Sequence, residues 1–257
     1  TPYLKHDSKG RREVVGADEF RGLDVPAINI YGGSSTYDVK VVNGYTWPDN
    51  LQRAFGKRAR IYNYGVQGYS SAESLVQTAF YARHGDKFPA CAVYYIGWND
   101  IRNLHIPNHD PGYADFHLLE QPTNLSLRNN RPTVSPLLNM LISLVLYHYE
   151  KATPPPSYVP DGVDTAGEDE DLERIFTQNL QTIIAINKAR GTKTFFIGQL
   201  LNRARLNQMP PMGVFPNAWL PKVRNKDVWA VQEHYNALMK SYVERQGATY
   251  IDVPIGK

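Results

Sequence analysis

Short apolar runs of strand length alternate with longer segments of helical periodicity, and this alternation narrows the fold more than any other feature of the chain. The runs are AINIY (27–31), RIYNYGV (60–66), ACAVYYIG (90–97), TKTFFIGQL (192–200) and ATYIDV (248–253). Between them the sequence predicts helices. In TWPDNLQRAFG, Thr46 and Asp49 have capping-box spacing, Pro48 suits the first turn and Gly56 ends it. Ser70 and Glu73 repeat that spacing ahead of AESLVQTAFYARHG (72–85), where Leu75, Val76, Ala79 and Phe80 are expected to form the apolar face. LERIFTQNLQTIIAINKARG, closed by Gly191, and DVWAVQEHYNALMKSYVERQG follow. Strands apolar throughout are buried on both faces, and helical crossovers demand parallel pairing. The expected fold is α/β: one doubly wound domain over 1–257, a parallel sheet of five strands covered by helices. Surface insertions are expected near 104–133, 151–170 and 201–226, the second one proline-rich and then acidic.

Composition excludes several function classes. A net charge of +3 over 257 residues, with no basic run, gives no reason to expect a nucleic-acid partner. The single cysteine, Cys91, forbids an internal disulfide framework and any multi-cysteine metal site, and its apolar surroundings predict a buried structural thiol. The most apolar stretch, LLNMLISLVLYHY (137–149), is shorter than the roughly 20 residues of a membrane span and reads as a helix. The first residues lack the apolar core of a signal peptide. Compartment and oligomeric state stay open.

In doubly wound sheets, ligands bind beyond the carboxyl ends of the strands. Three stretches converge on that edge. Ser34, in YGGSSTYD, follows the first strand; Gly68, in NYGVQGYSS, follows the second; Asn99, in YIGWNDIRN, follows the third. A serine that attacks an ester needs donors aimed at the oxyanion it creates. The backbone N–H groups of Ser34 and Gly68 and the amide of Asn99 are candidates for three. No Gly-Lys-Ser/Thr follows the glycines as a P-loop requires, and Thr36 stands where the G-x-S-x-G elbow needs glycine. Ser35 is expected to bond the turn backbone, Gly65 competes with Gly68, Asn99 has a second reading as a helix cap, and Asp100 reads as a supporting or capping acid.

Together, GGSS, NYGVQGYSS and GWND resemble the SGNH hydrolases, also called the GDSL esterases and lipases. The resemblance covers residues 27 to about 103, with glycine replacing the family's aspartate in the first block. It implies a flavodoxin-like fold, a catalytic set of Ser34, Gly68 and Asn99, an acyl-enzyme on Ser34, and no metal or organic cofactor. Implied substrates are small-molecule, carbohydrate or lipid esters, and transfer to another alcohol is a variant of the same chemistry. The family carries its acid and base in a D-x-x-H block after strand five. Here Asp252 is followed three residues later by Ile255, so the resemblance implies a pair beyond Lys257. A local alternative is a base among His105, His109 and His117, with Asp110 or Asp115 as its partner.

Other readings are open. A domain that keeps the fold and lacks the base would bind without catalysing. A phosphate-binding flavodoxin-like protein has only fold analogy behind it. His84 is expected at a helix end, where a cation suits the dipole, and His148 and His234 are read as structural. The loop aromatics Tyr113, Phe116, Phe215 and Trp219 line a substrate pocket or fasten loops, and Asn124 begins a glycosylation sequon.

Overall fold

A computed structural model of the protein describes residues 4–20, 24–104, 169–213, 220 and 223–253. The elements are β1 (Ala27–Gly32), α1 (Ser34–Tyr37), α2 (Trp47–Phe55), β2 (Arg60–Asn63), α3 (Ser71–Tyr81), β3 (Cys91–Tyr95), α4 (Glu170–Ala189), β4 (Lys193–Ile197), α5 (Arg203–Leu206), α6 (Val228–Arg245) and β5 (Thr249–Ile251). The five strands form one sheet in the order β2-β1-β3-β4-β5, every neighbouring pair parallel. This is the flavodoxin-like order, and it makes β2 and β5 the sheet edges. The helix expected at 134–149 and the insertions at 104–133 and 151–170 lie almost wholly outside the described residues.

Both expected capping boxes form. Thr46 and Asp49 close the start of α2, and Ser70 and Glu73 close the start of α3. β2 to β5 are shorter than their apolar runs, whereas β1 extends one residue past AINIY to Gly32. Alternate side chains of β1 serve opposite faces of the sheet. Ile28 and Ile30 pack with Ile61 against Trp47, Leu51 and Phe55 of α2. Tyr31 belongs to the larger core with Tyr94, Phe176, Phe196 and Tyr235. On that face a ladder of rings crosses the sheet: Tyr64–Tyr31, Tyr31–Tyr94 and Tyr94–Phe196 have centroids 5.0, 4.9 and 5.0 Å apart. Each such pair adds about 0.5–1.5 kcal/mol beyond area burial. The hydroxyl of Tyr94 is buried and bonds Thr78 and Asn187, so it strands no polar atom.

Three local expectations are corrected. Helix α3 was expected to bury Leu75, Val76, Ala79 and Phe80, yet it buries Ser71, Ala72, Glu73, Ser74 and Thr78. Small side chains let α3 approach the sheet and α4, and most of these hydroxyls have partners there: Ser71 on Asp100, Thr78 on Tyr94 and the Ser74 carbonyl. Phe80 is left 76% exposed. Helix α3 also ends at Tyr81, so His84 does not sit at its terminus. Instead His84 stacks on Tyr62 at 3.7 Å and bonds Asn29 Oδ1 at 2.6 Å. Burial, with Arg11, Lys9 and Arg60 nearby, lowers its pKa to about 3, so it is neutral rather than a cation. Cys91 is half-buried, and burial pushes its thiol up, which keeps it protonated. Among the described residues no helix is long and apolar enough to cross a membrane.

Candidate active site

Ser34 begins a one-turn helix directly after β1. Gly33 precedes it in an extended conformation, and the Gly33 carbonyl accepts the N–H groups of Thr36 and Tyr37, both at 3.0 Å. The N–H groups of Ser34 and Ser35 are therefore the open donors of the first turn. The turn is held from three sides. Asn63 at the end of β2 donates to the Thr36 carbonyl at 2.9 Å, and Trp47 Nε1 donates to the Ser35 carbonyl at 3.0 Å. Arg12 is 2% exposed and donates to the carbonyls of Tyr37 and Asp38, both at 2.6 Å, and to that of Val41. A guanidinium with its donors in one plane suits three carbonyls gathered at a helix C-terminus. Ser34 itself is half-buried, and among the described residues no side chain bonds its Oγ. Ser35 is exposed and binds through its carbonyl, not through the expected hydroxyl.

Ser34 and Asn99 line one small recess with Tyr69, Tyr95, Trp98 and Gln199. Asn99 is buried, and its Nδ2 donates to the Tyr69 carbonyl at 2.7 Å. A Cβ built on Gly33 would lie 2.3 Å from that nitrogen, so the amide rests against the backbone preceding Ser34 and only glycine fits there. Asn99 does not cap the 3-10 turn it precedes, which removes the capping alternative. Its Oδ1 is buried with no partner, an uncommon condition for a native polar atom.

The two competing glycines have different jobs. A Cβ on Gly65 would lie 2.3 Å from the Tyr37 nitrogen, so Gly65 lets the segment after β2 press on α1. Gly68 has φ +81° with open space beside its Cα and lies in the turn closed by the Tyr69 N–H on the Val66 carbonyl at 3.2 Å. Its own N–H has no partner among the described residues. Gly68 does not line the recess; its neighbour Tyr69 does.

Asp100 supports this corner. It is fully buried and accepts the Ser71 N–H at 3.1 Å and the Ser71 hydroxyl at 2.5 Å, which ties the start of α3 to the turn after β3. Burial, opposed by the Ser71 bonds, pushes its pKa up to about 6. The folded carboxyl thus holds its proton to a higher pH than the unfolded one. That favours folding in acid, and the contribution is lost as pH rises through about 6. Asp100→Asn removes the titration. The stability of wild type minus variant is expected to fall by about 2 kcal/mol between about pH 4 and pH 7, read by denaturant unfolding. A difference that stays flat contradicts the assignment.

His105, His109, His117, Asp110, Asp115 and the four loop aromatics lie outside the described residues, as do His148, Asn124 and Ile255. Among the described residues, His234 pairs with Glu173 at 2.7 Å and neither lines the Ser34 recess. Asp252 is exposed and pairs with Lys240 at 2.5 Å. No described group of acidic, histidine or cysteine side chains has the arrangement of a metal site. Sequence reading passed over Tyr69 and Gln199. Gln199 is buried just past β4, and Asn236 clamps its backbone, accepting its N–H at 2.9 Å and donating to its carbonyl at 3.0 Å. Its position at the carboxyl edge was the available signal.

The fold and the recess define a flavodoxin-like α/β protein with a serine, an asparagine amide and open backbone donors at the carboxyl ends of its strands. No family model and no curated protein matches the chain. Among solved structures it is similar to AlinE4, described as an SGNH-hydrolase family esterase, with 16% identity, coverage of 89% of this chain and 76% of that one, and a TM-score of 0.46. It is similar at 14% identity to a GDSL-like lipase from Bacteroides thetaiotaomicron, covering 92% and 75% at a TM-score of 0.44. The psychrotrophic esterase EstA from Pseudoalteromonas sp. aligns at 10% identity, 88% and 76% coverage and a TM-score of 0.42.

Proposed function

We propose that the protein is a serine-dependent carboxylic ester hydrolase of the SGNH/GDSL type. One observation carries the reading: Ser34 and the Asn99 amide share a recess at the carboxyl edge, with the free N–H of Ser34 in the turn between them. Ser34 Oγ attacks the acyl carbonyl and forms a tetrahedral adduct. The new oxyanion accepts from the Ser34 N–H and the second hydrogen of Asn99 Nδ2, the first being held by Tyr69. Gly68 stands outside the recess lining, and the third donor role the resemblance gives its N–H requires the Val66–Tyr69 turn to meet the substrate. A histidine oriented by a carboxylate takes the serine proton and returns it to the leaving alcohol, and water then releases the acid. Neither His84 nor His234 lines the Ser34 recess, so this role falls to neither. Asp100, buried behind Asn99, positions the turn and touches no substrate.

The test is Asn99→Ala with a p-nitrophenyl ester. Loss of one preorganised oxyanion donor is expected to lower kcat by about 10²–10³ while KM changes little. An unchanged kcat, or a loss confined to KM, overturns the role given to Asn99.

A further inference from the structure

The inverted face of α3 leaves an unusual surface. Phe80 is 76% and Tyr81 64% exposed, side by side near the helix end. With Val66 and Tyr69 they line a cleft of about 680 Å³. That cleft shares Lys9, Arg11 and Gly85 with a second one of about 910 Å³, which reaches Arg60 and Tyr62. Tyr69 also lines the Ser34 recess. The two clefts adjoin along the flank of edge strand β2, from its first residue to Tyr69, which stands between them and the Ser34 recess. The N-terminal segment walls this groove, anchored by the bridge between Arg12 and Asn63.

The groove is strongly basic. Lys9, Arg11, Arg60, Arg83, Lys87 and Arg190 line it, and Asp24 is the one carboxylate among its described lining residues. Some of these cations are committed: Arg11 to Asp7, Lys87 to Asp24, and Arg190 to the carbonyls of Thr78 and Ala79. Among the described residues no carboxylate pairs with Lys9, Arg60 or Arg83. Arg60 and Arg83 lie over the rings of Tyr62 and Phe88, at 4.7 and 4.5 Å, which holds the guanidinium groups at the wall. Burial lowers the pKa of His84 most, and Arg11, Lys9 and Arg60 add to that shift. Uncompensated like charges repel unless a ligand supplies the counter-charge.

We infer that the groove along β2 binds an anionic glycan, a chain of sugar rings carrying carboxylates, and leads it to Ser34. Exposed rings offer flat faces to the C–H face of a sugar, while the planar guanidinium groups match carboxylates in bidentate fashion. A lipid chain would want a closed apolar wall, which a groove lined by six cations does not give. Single-stranded nucleic acid also suits aromatics and cations, but it brings no ester to the recess beyond Tyr69. Delivery to Ser34 and the choice of a glycan over a nucleic acid rest on the proposed esterase reading; binding of a polyanion does not.

The probes are polygalacturonate, neutral dextran and oligothymidylate, titrated by calorimetry into the full-length protein, with hydrolysis of p-nitrophenyl acetate measured in parallel. Wild type is expected to bind polygalacturonate at least about tenfold more tightly than either other polymer, and to lose about tenfold when salt rises from about 50 to 300 mM. A Phe80→Ala/Tyr81→Ala variant and an Arg60→Ala/Arg83→Ala variant are each expected to bind about tenfold more weakly, with small-ester hydrolysis unchanged. Absence of polygalacturonate binding, tighter binding of oligothymidylate, or variants of undiminished affinity overturn the inference. Groove-dependent binding by a protein inactive on every ester overturns only the link to Ser34.

Discussion

Ser34→Ala is expected to lower kcat/KM for a small ester by about 10⁴-fold or more and to leave the folded protein intact. The size follows from the proposed role, in which the Ser34 hydroxyl bonds to the acyl carbon and no neighbour replaces it. What activity remains comes from the oxyanion donors alone, about 10³–10⁴ over water in comparable sites. Structural silence follows from the surroundings. Ser34 Oγ has no partner among the described residues, so its removal orphans nothing, and alanine suits the first position of a helix. Ser35→Ala is the control, because Ser35 is exposed and contributes its carbonyl to Trp47, which the variant keeps. A Ser35 variant as inactive as the Ser34 variant would show that the turn, not one hydroxyl, carries the effect. Steady-state rates with p-nitrophenyl acetate and circular dichroism of each variant decide the matter.

The largest stability effect is expected at Arg12. This side chain is 2% exposed, and its guanidinium serves the carbonyls of Tyr37, Asp38 and Val41 together with Asn43 Oδ1. Arg12→Met keeps much of the volume and abandons several buried acceptors, each worth about 1–3 kcal/mol when left unsatisfied. Some relax toward water, so a net loss of about 3–5 kcal/mol is expected, a large part of an ordinary domain's stability. In thermal unfolding this reads as a drop of about 10 °C or more. Arg12→Lys recovers only part of it, since a single ammonium cannot satisfy acceptors spread around a planar fork. Because those carbonyls end the helix that begins at Ser34, the Met variant is also expected to lose the proposed esterase activity below its melting point. A Met variant that melts with wild type contradicts the anchoring role.

What was legible in the sequence was local. Thr46–Asp49 and Ser70–Glu73 declare their helix starts because a capping box is made within four residues. The parallel sheet follows from five apolar runs joined by helices, and with it the edge where Ser34, Gly68 and Asn99 emerge, while its β2-β1-β3-β4-β5 order was implied only by the family resemblance. What was illegible was long-range. The apolar-face rule failed for α3 because Ser71 and Thr78 find partners on β3 and in the turn after it, which makes a polar face buriable. Arg12 has no sequence signature, since its acceptors lie 25 to 31 residues away. The histidine reading failed at His84 because its stacking partner, Tyr62, comes from another strand. Gly65 and Gly68 look alike in sequence; only the backbone packed against Gly65 and the left-handed turn at Gly68 separate them.

The central claim, that Ser34 is an activated nucleophile, is tested most directly by fluorophosphonate labelling of the full-length protein, with the adduct located by peptide mass spectrometry. The account predicts one equivalent of label on the peptide that contains Ser34, absent from Ser34→Ala and slowed in Asn99→Ala. Label on another serine, or none at all, would contradict it and leave a binding protein built on the same sheet.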